Sequence, residues 1–241
     1  MSGLDNLRVV LVSTRNPLNI GAAARAMSNF GVAELRVVNP YELAFREARS
    51  AVGASPILKK AREFTTVAEA VADCSLVVGT TAAQNRELQH PMHALPEAAP
   101  LIRSHLQSGS VALLFGSEKR GLSNHDFSFC QWLLHIPTRG QHLSMNLGQA
   151  VAVCLYQLAR EAKASQVRKL QTERATAEQL SLLDEGLLDA LRISGYLKPK
   201  AAAETEEKLR RLTRRLNLTV EDATTLLGML RQIRWKLKSG Q

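Results

Sequence analysis

Aromatic residues are scarce in this chain, at 5% of its 241 positions, so alanine, leucine and valine must fill the core. Cysteine is scarcer still. Cys74, Cys130 and Cys154 are odd in number, and no two form a C-x-x-C pair. That argues against a disulfide framework or a zinc site, so no metal is expected, and a reducing cytoplasm is the default setting. No apolar run reaches the roughly 18 residues that a membrane span needs. The opening "MSGLDNLRVVLVST" lacks a cationic n-region and reads as a first strand, not a signal peptide. Acidic charge is in deficit: 31 Lys and Arg face 22 Asp and Glu, for a net charge of +9 and a pI near 9.8. Such a balance suits a nucleic acid or an anionic membrane surface as partner; a merely basic housekeeping enzyme is the plainer reading.

What is present is an alternation of strand and helix patterns over the first two thirds. Short Val/Leu-rich runs at 7–13, 33–40, 74–81, 110–117 and 131–138 each end in Gly, Pro, Thr or Ser. Fully buried strands of a parallel sheet have this form. Helical spacing fills 16–31, 43–51, 66–72, 95–107 and 144–162, which predicts an α/β domain over residues 1–162. Composition then shifts. From Lys163 onward there are 16 Lys and Arg against 10 Asp and Glu. Residues 163–178 read as a linker or exposed helix, and 179–241 as a small basic helical domain. "TVED" (219–222) resembles a capping box with Thr219 as N-cap. In "KLRRLTRRLN", Arg210, Arg211, Arg214 and Arg215 share one helix face, which suits a grip on nucleic acid; a dimerisation arm is the alternative.

The first helix, "NPLNIGAAARAMSNFG", has a buried face at Ile20, Ala23, Ala24, Met27 and Phe30. Asn16 can cap it, Pro17 fits the first helical position, and Gly31 fits the C′ position. Arg25 stands on the other face, with the small Gly21 and Ala22 a turn before it leaving room for something to approach. It is either a solvated helix arginine or a group presented to a ligand, because ligands of open α/β sheets bind where strands give way to helices.

Two later stretches carry similar punctuation. In "LLFGSEKRGLSN" (113–124) a buried strand runs into Gly116, Glu118 and Gly121. Glycines there let backbone approach a ligand, but the pattern is neither a Walker A loop nor G-x-G-x-x-G. In "HIPTRGQHLSMNLGQAVAV" (135–153) a strand ends at Ile136 and Pro137, and Ser144 precedes a helix that it can cap. His142 and Ser144 invite a hydrolase reading, which the missing G-x-S-x-G elbow disfavours.

Taken in order, "N-x-x-G-A-x-A-R-A", "F-G-x-E-x-x-G-L-x-N" and "I-P…S-x-N-L-x-Q-A-V" resemble the SPOUT superfamily of RNA methyltransferases over residues 6 to 160. Within it the chain is most similar to the TrmH/TrmJ-like 2′-O-ribose methyltransferases of tRNA. Met145 departs from the usual Leu, a swap of similar volume.

The resemblance implies an α/β sheet with a deep C-terminal trefoil knot and a homodimer. It implies S-adenosylmethionine as cofactor, with S-adenosylhomocysteine as product, held by Thr80, Thr81, Ala82, Gly116, Ser117, Glu118, Gly121, Ile136, Ser144, Met145 and Leu147. It places Arg25 at the reacting ribose, with Asn19, Glu118, Ser144 and Asn146 as the other motif residues of the catalytic set. The implied reaction is methylation of a tRNA ribose, at nucleotide 32 of the anticodon loop for the TrmJ-like branch. Another tRNA position or rRNA is the alternative substrate, and a non-catalytic knotted RNA-binding protein is the rival of a different class.

Overall fold

Each Val/Leu-rich run becomes a strand of one sheet. In the computed structural model, which describes residues 3–50, 56–82, 90–139, 144–160, 173–197 and 202–239, the strands are β1 (Leu7–Val12), β2 (Glu34–Val38), β3 (Arg62–Phe64), β4 (Leu76–Thr80), β5 (Met92–Ala94), β6 (Val111–Phe115) and β7 (Trp132–His135). The helices are α1 (Pro17–Asn29), α2 (Glu42–Ser50), α3 (Pro56–Lys60), α4 (Val67–Val71), α5 (Leu95–Leu106), α6 (Asn124–Phe127), α7 (Leu147–Ala159), α8 (Ala177–Ile193), α9 (Ala202–Arg215) and α10 (Val220–Ser239). None of the described helices is long and apolar enough to cross a membrane.

All pairings are parallel, in the order β3-β2-β1-β6-β4-β7-β5. Side chains alternate between two buried faces, which is why the strands read as continuous apolar runs. Leu7, Val9, Leu11, Leu113 and Phe115 face α1, α5 and α7 through Ile20, Met27, Ile102, Val151 and Leu155. Val10, Val12, Val77, Leu114 and Leu133 face the other way, onto Val67, Val71, Phe127 and Cys130. β3, β5, α3 and α6 were not expected. β3 and β5 are three-residue edge strands, and α3 and α6 are about one turn each, too short to show a period.

α1 forms as its ends dictate. The Asn16 side chain accepts from Leu18 N at 2.9 Å, Pro17 opens the helix, and Gly31 follows it at φ 71°. α7 begins later than expected. Its N-cap is Asn146, whose Oδ1 accepts from Gly148 N at 2.9 Å, so Ser144 is not the cap. α1 and α7 pack together, and a Cβ on Gly148 would stand 2.5 Å from that of Ala22. The clearance around Ala22 therefore admits the first turn of α7.

Residues 163–172 of the expected linker, like His142, lie outside the described residues. From 173 to 178 the chain is docked. Arg174 bridges to Thr219, Ala175 N donates to Leu218 O, and Thr176 caps α8 through a reciprocal box with Gln179. Ala177 N and Glu178 N donate to Cys74 O and Ala72 O, which fastens the start of α8 to the end of α4. The Thr219–Asp222 box forms as its sequence suggests, with Asp222 N donating to Thr219 Oγ1 at 3.1 Å and Thr219 N to Asp222 Oδ2 at 3.0 Å.

Candidate active site

The C-terminal ends of β4, β6 and β7 open onto a cleft of about 360 Å³, completed by the approach to α7. β6 leaves the sheet between β1 and β4, and β7 between β4 and β5. Strand order reverses there, and such points are where open α/β sheets leave room for a ligand.

The β6 end shows why its glycines are spaced as they are. A Cβ on Gly116 would lie 2.1 Å from Gly121 C and 2.2 Å from Leu122 N, backbone atoms that cannot swing aside. Gly121 takes φ 67° and donates its N–H to Ser117 O at 2.8 Å, closing the loop. At its tip, Glu118 accepts from the backbone N–H groups of Arg15 and Asn16, each at 3.3 Å, and from Asn19 Nδ2 at 3.1 Å. Asn146 Nδ2 in turn donates to Asn19 Oδ1 at 2.8 Å. The first, second and third motifs are thus joined through the relay Asn146–Asn19–Glu118. In this arrangement Glu118 holds the β1–α1 turn against the β6 loop.

Thr80, Thr81, Ala82, Gly116, Ser117, Glu118, Gly121, Ile136, Ser144, Met145 and Leu147 all line the cleft. Sequence reading missed Phe115, Leu122, Phe127, Leu134, Thr138, Ala150 and the cationic pair Lys119 and Arg120 as lining groups. The apolar ones are indistinguishable from core residues in the sequence, and the two cations look like ordinary loop charges. Asn19 and Asn146 sit behind the wall, joined to it through Glu118. Arg25 lies apart from the lining, exposed on the outer surface of α1.

The helical region corrects one expectation. Arg210 and Arg214 do not join Arg211 and Arg215 on an exposed face, because they are 8% and 1% exposed. Arg214 Nη1 bonds Asp184 Oδ2 at 2.7 Å, and Thr213 Oγ1 bonds Asp184 Oδ1 at 2.6 Å. Burial pushes the Asp184 carboxyl up and the Arg214 guanidinium down, against their mutual attraction. Arg210 donates to Ser128 Oγ at 2.8 Å and to Glu206 Oε1 at 2.8 Å, with its guanidinium 4.3 Å from the Phe129 ring centroid. Arg215 is exposed, and Arg211 is partly buried beside Glu207.

Burial pushes the Cys74 and Cys154 thiols up to about 12 and Cys130 higher still, so none is a thiolate nucleophile at neutral pH. Among the described residues no group of three or more His, Cys, Asp or Glu could hold a metal ion.

The profile of the SpoU rRNA Methylase family matches residues 6–156. A Pseudomonas aeruginosa protein named tRNA (cytidine/uridine/adenosine-2'-O-)-methyltransferase TrmJ is 38% identical, over 94% of this chain and 93% of its own. A Yersinia pestis protein named tRNA (cytidine/uridine-2'-O-)-methyltransferase TrmJ is 32% identical, over 95% of this chain and 92% of its own. Among solved structures, TrmJ from Z. mobilis ZM4 superposes with a TM-score of 0.82 at 32% identity, covering 94% of this chain and 98% of that one.

Proposed function

Because this chain belongs to the SpoU methylase family, we propose that it transfers a methyl group from S-adenosylmethionine to a ribose 2′-hydroxyl of tRNA, at nucleotide 32 of the anticodon loop, releasing S-adenosylhomocysteine. The observation that carries the reading is the convergence of three distant motifs on one cleft, through the Asn146–Asn19–Glu118 relay. tRNA is favoured over rRNA because the tRNA-methylating relatives match nearly the whole chain, basic helices included, whereas the family profile stops at residue 156.

The cleft suits such a cofactor. Its volume of about 360 Å³ falls within the usual range for small-molecule sites. Gly116 and Gly121 bring bare backbone to its edge, and Leu134, Ile136, Met145 and Leu147 offer apolar surface to a purine. When bound, S-adenosylmethionine supplies an electrophilic methyl group on sulfur. The protein's task is to place the 2′-oxygen in line and to accommodate the charge that grows there as its proton leaves. Arginine effectively never deprotonates in proteins, so Arg25 acts as an electrostatic group and not as a base. It grips the adjacent RNA phosphate and stabilises the developing oxyanion. Glu118, Asn19 and Asn146 hold the loops in place, and Ser144 stands at the cleft wall next to the substrate.

Two further parts belong to the same proposal. One is a homodimer built on the α1/α7 face, where Leu18 is 80% and Tyr156 54% exposed; Arg25 then serves the partner's cofactor. The other is a trefoil knot around the cleft, in keeping with the late strands β6 and β7 being inserted between earlier ones, β6 between β1 and β4 and β7 between β4 and β5. In the helical region, Arg211 and Arg215 supply the grip on tRNA.

The test is incubation of the purified protein with labelled S-adenosylmethionine and unmodified tRNA or rRNA, followed by mass mapping of ribose methylation. Methylation of tRNA at nucleotide 32 is expected. Label in rRNA alone, or at another tRNA nucleotide, would move the substrate assignment, and no cofactor binding by calorimetry would leave a non-catalytic RNA-binding protein. Arg25→Ala should cut kcat by about a hundredfold or more with cofactor affinity retained.

A further inference from the structure

The arginines of α9 are divided between two jobs. Arg210 points away from solvent into a built socket: Ser128 Oγ at 2.8 Å, Glu206 Oε1 at 2.8 Å and the Phe129 ring at 4.3 Å. Ser128 is fully buried, forms the C-cap of α6, and donates a hydrogen bond from its hydroxyl to His125 O at 2.7 Å. One residue earlier in the same turn, Phe127 lines the cofactor cleft. A second contact backs the socket, since Glu207 of α9 approaches His125 Nδ1 at 3.8 Å. The buried Arg210, backed by Glu207, therefore fastens the helical region to the turn that walls the cleft.

Burial first, and then the charges of Arg211 and Arg215, push the His90 imidazole below its ordinary value. His90 in turn packs beside Phe127, with ring centroids 6.3 Å apart. Arg211, next to Arg210 in α9, and the exposed Arg215 one turn on are therefore carried by the helix that is clamped to the turn beside Phe127. Lys119 and Arg120 are at the cleft itself. A polyanion held by α9 and one entering the cleft can be the same molecule only if α9 keeps this position.

We propose that Arg210 is a positioning residue: by clamping α9 onto the Ser128–Phe129 turn it sets the RNA grip of Arg211 and Arg215 in register with the cofactor cleft. Arg210 does not itself touch RNA. This rests on the reading of the chain as a tRNA methyltransferase, and it makes a prediction that separates a clamp from a contact. Removing a phosphate contact flattens the dependence of log K on log salt by about 0.7–0.9 per contact. Removing a clamp leaves the contacts on the helix and spoils their alignment with the chemistry, and misplacement of this kind costs turnover steeply.

The experiment compares Arg210→Ala, Arg210→Lys and Arg215→Ala in the full-length protein. Arg210→Ala is expected to keep cofactor affinity within about twofold and the salt slope of tRNA binding unchanged, while kcat/KM for tRNA falls about tenfold or more. Arg210→Lys, which keeps the charge and one donor, recovers part of that loss. Arg215→Ala lowers the salt slope. Should Arg210→Ala fail to fold, Ser128→Ala and Phe129→Leu remove the socket from the other side and are expected to act in the same direction. Hydrogen exchange of the 123–129 amides reads the clamp without any RNA, and faster exchange in Arg210→Ala is expected. A flattened salt slope in Arg210→Ala would make it a contact residue and overturn the proposal. So would unchanged kcat/KM in folded Ser128→Ala and Phe129→Leu proteins. Loss of exchange protection together with a wild-type protein that methylates no tRNA would instead sink the functional reading and leave the clamp standing.

Discussion

Asp73 shows how much one half-exposed carboxylate can carry. Both its oxygens take hydrogen bonds from the buried Arg36 guanidinium, Oδ2 at 2.8 Å, and Arg8 adds its charge at 3.6 Å. The Arg36 bonds first, then these charges, hold the Asp73 carboxyl at about 2, well below the usual carboxylate range. A depressed carboxyl stabilises the fold above its unfolded-state value near 3.8, and that contribution disappears as pH falls toward about 2. Discounted for solvent screening, it amounts to about 1 kcal/mol. Denaturant titrations of wild type and Asp73→Asn should therefore differ by about this much near neutrality, begin to draw together below about pH 4 and meet only near pH 2. A gap that stays constant into acid would refute the assignment. Gly116 makes a second test at this scale. Because its missing Cβ space is filled by the backbone of Gly121 and Leu122, Gly116→Ala should abolish S-adenosylmethionine binding in calorimetry with the far-UV spectrum unchanged. Wild-type affinity would show that this loop is not the cofactor wall.

Among the elements, α8 and α9 depend on a buried ion pair. Arg214 and Asp184 are 1% and 7% exposed in their side chains, and the shifts of both groups show burial winning over attraction. Breaking such a pair strands a charge, whereas replacing both partners by apolar groups removes the penalty. Arg214→Ala and Asp184→Ala should each destabilise the helical region by about 3–5 kcal/mol, and Arg214→Met with Asp184→Leu by far less than the sum. Additive losses would mean that the two groups are not coupled, and would refute the account of a stranded charge. α1 and α7 illustrate the other kind of element contact, small on small, with Ala22 against Gly148. Caps at Asn16, Thr176 and Thr219 follow local chemistry; Asn16 and Thr219 are identified in the sequence analysis, and Thr176 heads a T-x-x-Q box that is equally local but went unmarked there. The cap of α7 could not, because Ser144 and Asn146 are both competent and only the packed loop selects Asn146.

At the scale of the whole molecule, what counts is what Arg25 faces. It is exposed on α1 and outside the cleft of its own chain. If a two-fold interface on α1 and α7 brings it to the other cleft, two crippled chains should complement one another. Co-expressed Arg25→Ala and Gly116→Ala chains, mixing at random, would form one intact composite site in half of the dimers, or about a quarter of wild-type activity. Activity no greater than the sum of the two variants alone would place Arg25 beside its own subunit's cofactor.

Much of this protein was readable along the chain because it rests on local terms. The five long strands are apolar runs, the α1 termini are capped by their own neighbours, and Gly116 and Gly121 announce a loop that no side chain can enter. Every residue expected at the cofactor lies along one cleft, and the residues missed there, such as Phe127 and Leu134, are ones whose apolar character reads as core. Tertiary structure alone decided which arginines meet solvent. The i, i+4 spacing puts Arg210 and Arg214 on one face, but what that face meets is contributed by Ser128, 82 residues away, and Asp184, 30 residues away. Helical period is a property of neighbouring residues, while burial of a charge depends on whether a distant element arrives with a partner, and no local pattern encodes that arrival.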